Sequence, residues 1–149
     1  MSDLQALRVL VVEDEALLAM ELESLIEDAG HEVVGWATSS SEARRLIDTT
    51  EADLAFVDMQ LADGPTGVEV AKYFAEVRPM LVVFLTANPK RIPEDFAGAC
   101  GVIAKPYTVA GLASALRYLQ EGIRRPPPSA GRPTGFALSP RYDAAWLPA

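Results

Sequence analysis

Short unbroken apolar runs alternate along this chain with stretches in which apolar residues recur every three or four positions. LRVLVV (7–12) is a continuous β-branched run, and the following ALLAMELESLIEDAG (16–30) places Leu17, Leu18, Leu22, Leu25 and Ile26 at helical spacing before a glycine stop. The alternation continues. HEVVGWA (31–37), ADLAFVD (52–58), MLVVFLT (80–86) and GVIAK (101–105) read as strands, and SSSEARRLIDT (39–49, with a serine cap), TGVEVAKYFAEV (66–77) and TVAGLASALRYLQEG (108–122) read as helices. PEDFAGA (93–99) is a short helix at best: prolines 89 and 93 and Gly98 confine it to a turn or two starting at Pro93.

Five strands and five helical segments in strict alternation predict an α/β fold with a doubly wound parallel sheet, because parallel neighbours need crossover connections, and right-handed crossovers place helices on both faces. Strands buried on both sides lose the polar/apolar alternation of a one-sided sheet, as in the runs at 7–12, 54–57 and 80–85. In such open sheets the ligand site lies beyond the carboxyl ends of the strands, where the strand order reverses. Those ends carry Glu13, Asp14 and Glu15 after the first strand, Asp58 after the third, Thr86 after the fourth, and Lys105 followed by Pro106 after the fifth.

Taken singly, each has an ordinary reading: a helix-capping acidic triplet, a loop aspartate, a strand threonine, a solvated lysine. Together they suit phosphoryl transfer to a carboxylate. Clustered carboxylates repel unless a divalent cation neutralises them, and oxygen-only donors point to Mg²⁺, with Mn²⁺ a possible substitute in vitro. Zinc is disfavoured in a chain with one His and one Cys. An incoming phosphoryl group brings about two negative charges, which the cation, an ammonium and a hydroxyl can stabilise. Asp58 is then the nucleophile, Glu13 and Asp14 the metal carboxylates, Thr86 the hydroxyl and Lys105 the counter-charge.

The segments VVEDE, FVDMQLADGPTG, FLTA and AKP resemble, in order, spacing and strand context, the receiver domains of two-component response regulators over roughly residues 7–122. The resemblance implies a flavodoxin-like strand order 2-1-3-4-5, with residues 1–123 as the receiver. It implies that Asp58 accepts a phosphoryl group from a sensor histidine kinase, and that Mg²⁺ is held by Glu13, Asp14, Asp58 and the backbone carbonyl of Gln60. It also implies that Thr86 and Ala87 with Lys105 bind the phosphoryl group, that the bond before Pro106 is cis, and that Gln60 and Asn88 tune the lifetime of the phosphorylated form. Most receivers carry an aromatic residue three positions before the lysine. Here it is Val102, which leaves Tyr107, or less readily Phe84, as the substitute. FLTAN and KPY are similar to an alphaproteobacterial subfamily of mostly stand-alone receivers named after a Phe-Ala-Thr-Gly motif, from which Leu85 and Asn88 depart. Residues 88–99 are expected to be mobile and to order on phosphorylation or partner binding.

The net charge of −8 argues against unspecific nucleic-acid binding, which needs a surplus of basic side chains. It is unevenly spread: nine Lys/Arg face twenty Asp/Glu in 1–123, whereas 124–149 holds four Arg and only Asp143. That last segment is rich in Pro, Gly, Ser and Ala without helical or strand period, and is expected to be a flexible tail in which Tyr142, Trp146 and Leu147 are possible anchors. No apolar run approaches the roughly 20 residues of a membrane span, and a signal pattern is absent, so a cytoplasmic location is expected. The lone Cys100 reads as a packed thiol. With no length for an effector after residue 123, output is expected through protein contacts, with a histidine phosphotransfer protein or a downstream regulator as partner, or by draining phosphoryl groups as a sink. Leu112, Ala115, Leu116 and Leu119 of the last helix should face inward, and Arg117, Tyr118 and Gln120 outward.

Other classes are weaker. A non-phosphorylated pseudo-receiver acting as a binding module would be expected to lack some of the five site residues. An aspartyl phosphohydrolase would want an Asp-x-Asp pair on the first strand, and a dinucleotide binder a glycine-rich turn; VVEDEALL offers neither.

Overall fold

A computed structural model describes residues 4–146. Five strands form in the predicted places: β1 (Arg8–Val12), β2 (Glu32–Ala37), β3 (Leu54–Asp58), β4 (Leu81–Thr86) and β5 (Gly101–Ala104). They pair in parallel in the order β2-β1-β3-β4-β5, so the order reverses at β1 and β3. Between them run α1 (Ala16–Asp28), α2 (Ser40–Thr49) and α3 (Gly67–Val77), and α4 (Val109–Arg124) follows β5.

Each strand sends alternate side chains to opposite faces, and both faces are covered. Val9, Val11, Leu54, Phe56, Val83 and Leu85 pack with Leu22 and Ile26 of α1 and Leu112, Leu116 and Leu119 of α4. Leu10, Val12, Ala55, Val57, Val82 and Phe84 pack with Ile47 of α2 and Val70 and Phe74 of α3. This two-sided burial is why the strand sequences are unbroken apolar runs. Phe56, Phe74 and Phe84 are fully buried, each adding about 2–3 kcal/mol by removal of apolar surface from water. Caps fix the helix starts: Ser39 Oγ accepts from the Glu42 N–H at 3.2 Å, and Thr108 Oγ1 from the Gly111 N–H at 2.8 Å.

Four expectations are corrected. Leu17 is 76% exposed: the buried stripe of α1 is Ala19, Leu22 and Ile26, and Leu17, five residues before Leu22, points about 140° away. No α-helix begins at Pro93. Residues 87–99 instead hold two single 3₁₀ turns, Pro89–Arg91 and Phe96–Gly98, with positive φ at Phe96, Ala97 and Gly98, which an α-helix cannot contain.

The segment expected to be a flexible tail folds onto the domain. Phe136–Leu138 forms β6, antiparallel to β5, and Pro140–Ala145 forms a short helix, α5. The sheet therefore has six strands rather than five. In consequence Tyr118, expected outside, is buried at 5% exposure, its ring 5.7 Å from Phe136 and 5.8 Å from Trp146. Leu147 lies outside the described residues. Among the described residues no helix is long and apolar enough to cross a membrane.

Candidate functional site

At the carboxyl ends of β1 and β3 the chain leaves the sheet with its carboxylates aimed at one another. Glu13, Asp14 and Asp58 each offer an oxygen within 4.8 Å of the others. Glu13 is buried, Asp58 half-buried and Asp14 exposed, so the cluster grades from core to solvent. The loop is pinned at Glu13: its N–H donates to Ala37 O at 2.9 Å, and its own carbonyl accepts from Trp36 Nε1 at 2.7 Å. One carboxylate oxygen of Glu13 accepts from the Glu15 N–H at 3.3 Å.

Lys105 reaches the cluster from the end of β5. Its Nζ donates to Asp58 Oδ2 at 2.6 Å and to Glu13 Oε1 at 3.1 Å. The Lys105–Pro106 peptide bond is cis, and the Lys105 N–H donates to Thr86 O at 2.8 Å. On the other side of Asp58, the Gln60 N–H donates to Oδ1 at 3.0 Å. Thr86 is buried on β4, one residue past the register partner of Asp58, and its Oγ1 accepts from the Asn88 N–H at 3.0 Å. Ala87 and Tyr107 line a groove of about 290 Å³ with Leu18, Glu21, Lys105 and Pro106. Tyr107 is half-buried and packs against the α1/α4 side of the core. Val102 is buried in the opposite core layer, in the cluster with Phe84, Ala97 and Ala99.

Three carboxylates against one ammonium leave the cluster short of positive charge. Burial, and then repulsion from Asp58, push the Glu13 carboxyl up to about 7 although Lys105 pulls it down. Burial opposes the Lys105 ammonium, but the hydrogen bond to Asp58 and the attraction of Asp58 and Glu13 outweigh it and raise its pKa. The donors are oxygens only. Octahedral coordination at about 2.0–2.1 Å separates ligand oxygens by about 3–4 Å, a spacing the three carboxylates can meet. Hard oxygen donors and a charge deficit fit Mg²⁺ in chemistry and dimension.

Sequence reasoning missed three supports. Gly67, the first residue of α3, lies so close to β3 that a Cβ there would fall under 3.0 Å from the Asp58 carbonyl oxygen and from Met59 Cα; its only trace in the sequence is a glycine where a better helix former would serve. Asp63 ties the acceptor loop to α2 and α3, accepting from the Ser40 N–H at 3.1 Å and from Thr66 Oγ1 at 2.7 Å. These hydrogen bonds, from Ser40 first and then Thr66, lower its carboxyl to about 2. Trp36 clamps the acidic loop, and nothing in HEVVGWA foretells that.

The family model described as response regulator receiver domain matches residues 9–117. The chain belongs to that family. Its relatives include the phyllosphere-induced regulator PhyR of Methylorubrum extorquens, 33% identical over 125 residues, covering 80% of this chain and 47% of PhyR. The transcriptional regulatory protein PdtaR of Mycobacterium tuberculosis is 33% identical over 120 residues, covering 78% of this chain and 58% of PdtaR. This receiver thus spans about half the length of the curated relatives it matches. Among solved structures, the REC domain of the Erythrobacter litoralis PhyR response regulator superposes with a TM-score of 0.70 at 27% identity, over 82% of this chain and 95% of that one. Since the family match ends at residue 117, β6 and α5 lie beyond the matched region.

Proposed function

We propose that this receiver takes a phosphoryl group onto Asp58 from the phosphohistidine of a sensor kinase, in a Mg²⁺-dependent reaction, and passes the signal on through protein contacts or removes phosphoryl groups as a sink. The observation that carries the reading is the meeting, at one rim of the sheet, of the Glu13, Asp14 and Asp58 carboxylate oxygens within 4.8 Å of one another with Lys105 Nζ 2.6 Å from Asp58.

In the transfer, an Asp58 carboxylate oxygen attacks phosphorus as the phosphorus–nitrogen bond breaks, and the imidazole leaves with the bonding pair. Mg²⁺, held by Glu13, Asp14, Asp58 and the Gln60 carbonyl, would neutralise charge on the phosphoryl oxygens. Lys105 stays beside the acceptor as a fixed counter-charge. The Thr86 hydroxyl, which in the resting protein accepts from the Asn88 N–H, retains its own hydrogen for a phosphoryl oxygen. Ala87, next to Thr86, has no side chain beyond Cβ to crowd that oxygen, and Gln60 and Asn88, two residues beyond Asp58 and Thr86, are the positions that would tune hydrolysis of the acyl phosphate. The reaction's second partner docks on α1. Leu17 and Met20 stand 76% and 63% exposed one helical turn apart beside the groove of Leu18, Glu21 and Tyr107, an apolar face suited to a kinase helix. A solved complex joins the anti-anti-sigma factor PhyR of Bartonella quintana to the anti-sigma factor NepR; output from this receiver by a protein contact of that general kind fits its acidic body.

Incubation of the full chain with Mg²⁺ and acetyl phosphate tests the assignment by intact mass. A single acid- and base-labile phosphoryl adduct is expected on the wild type, none on Asp58→Asn or after chelation, and little on Asp14→Asn. An adduct that persists on Asp58→Asn would refute it.

A further inference from the structure

Residues 136–146 lie across one edge of the receiver as a strap. β6 pairs with β5 over Gly101–Ile103, and its ends are held by Gly135 O, which accepts from the Ala104 N–H at 3.0 Å, and by the Ser139 N–H, which donates to Cys100 O at 2.8 Å. Phe136, Leu138 and Trp146 are buried in the core layer of α4, and Tyr142 stacks edge-on to Trp146 at 5.3 Å. Two glycines of the receiver make room for it. A Cβ at Gly122 would fall under 3.0 Å from three atoms of the Trp146 ring, and one at Gly101 under 3.0 Å from Ala137 O and the Phe136 ring. The receiver face and the strap are therefore shaped for each other. Three strand residues, a few apolar anchors and the Arg132–Asp143 ion pair hold the strap, and its connection through 125–135 is proline-rich, so it can peel away without disturbing the five parallel strands.

The strap also touches the phosphoryl site's own hinge. The Ala104 N–H holds Gly135, while the next N–H, that of Lys105, holds Thr86. A cavity of about 210 Å³ separates Tyr107, Thr108 and Gly111 from Thr134, Gly135 and Phe136. Tyr107 lines this cavity as well as the groove beside Lys105, so its ring has space on the strap side.

We propose that residues 136–146 are a cis-acting cover of the β5 edge and the α4 aromatic face, and that phosphoryl loading at Asp58 loosens it through Lys105, Pro106 and Tyr107. Release uncovers the backbone donors and acceptors of β5, the chemistry that accepts an extended strand from a protein partner. The loosening half of the proposal rests on the phosphoacceptor reading; the cover itself does not.

Cys100, the chain's single cysteine, is fully buried in the cluster with Phe136, Leu138 and Trp146, so its rate of reaction with dithionitrobenzoate in the full chain reports opening. Wild type should react slowly, and Trp146→Ala and Gly122→Ala about tenfold or more faster, with β1 and β3 amides still protected from exchange to show that the opening is local. Unchanged Cys100 rates in both variants would overturn the cover. Mg²⁺ with beryllofluoride, a phosphoryl mimic, should raise the wild-type rate about tenfold and leave Asp58→Asn and Tyr107→Ala slow. Binding of the mimic is followed separately in Trp146→Ala through Trp36, its one remaining tryptophan. If the mimic binds and the wild-type Cys100 stays slow, the coupling is wrong; if the mimic accelerates Tyr107→Ala as it does the wild type, Tyr107 is not its route. If the mimic does not bind, the phosphoacceptor reading fails and the coupling with it, while the variant rates still decide the cover.

Discussion

His31 shows how one side chain links burial to a measurable pH response. It is buried, and its Nδ1 accepts from the Leu7 N–H at 3.0 Å, a bond that only the neutral ring can make. Burial, and then the Arg124 guanidinium, lower its pKa below the ordinary 6.5. Above pH about 6.5 both folded and unfolded chains carry a neutral ring and stability is undiminished. As pH falls through that value toward the depressed folded pKa, the unfolded chain takes up the proton first and stability is lost. The melting temperature of the wild type should accordingly fall between about pH 7 and 5.5 more steeply than that of His31→Gln; parallel slopes would remove His31 from the account. The site residues obey the same physics with opposite chemistry. Glu13 is buried among like charges and is raised, whereas Asp63, solvated and holding hydroxyl donors, is lowered.

Among the elements, the connection from β4 to β5 is the least regular. Positive φ values at Phe96, Ala97 and Gly98 exclude a helix, and within 88–98 only Ala97 is buried. Its backbone is held by short-range bonds such as Ile92 N–H to Pro89 O at 3.2 Å and Ala99 N–H to Phe96 O at 2.8 Å. Few buried apolar contacts and solvent-facing hydrogen bonds give low local stability. Amides of 88–98 should therefore exchange at least about a hundredfold faster than those of β1 and β3 in hydrogen-exchange mass spectrometry without phosphodonor, and slow on phosphorylation; protection equal to the central strands in both states would show a rigid connector. β6 differs in kind, because each of its anchoring side chains enters the core layer of α4.

On the scale of the whole molecule, an acidic cluster at one rim concentrates like charge that a cation relieves. Binding to the folded state alone stabilises by mass action: with Mg²⁺ at ten times its dissociation constant the gain is about 1.4 kcal/mol. That corresponds to a rise in Tm of about 3–5 °C for a domain of this size. Chelation should reverse the rise and Asp14→Asn should abolish it, as scanning calorimetry would show; an equal rise in the variant would place the cation elsewhere. How much of this was legible in the sequence follows from the range of each interaction. Val9 to Val12 and Leu54 to Val57 announce two-sided strands because the apolar run is itself the signature of burial, and Ser39 and Thr108 announce helix starts because a cap acts within three residues. From these, parallel order and the convergence of Glu13, Asp14, Asp58 and Lys105 on one rim could be inferred, since strand ends in such a sheet share an edge. What only the tertiary structure decided are pairings between positions far apart in the chain with no period to mark them. Trp36 holds the Glu13 loop, Gly67 admits the close approach of α3, and Gly101 and Gly122 receive Phe136 and Trp146. The strap left no signal because its three-residue strand is too short to show alternation, and its stability comes from the surface it meets, not from its own sequence.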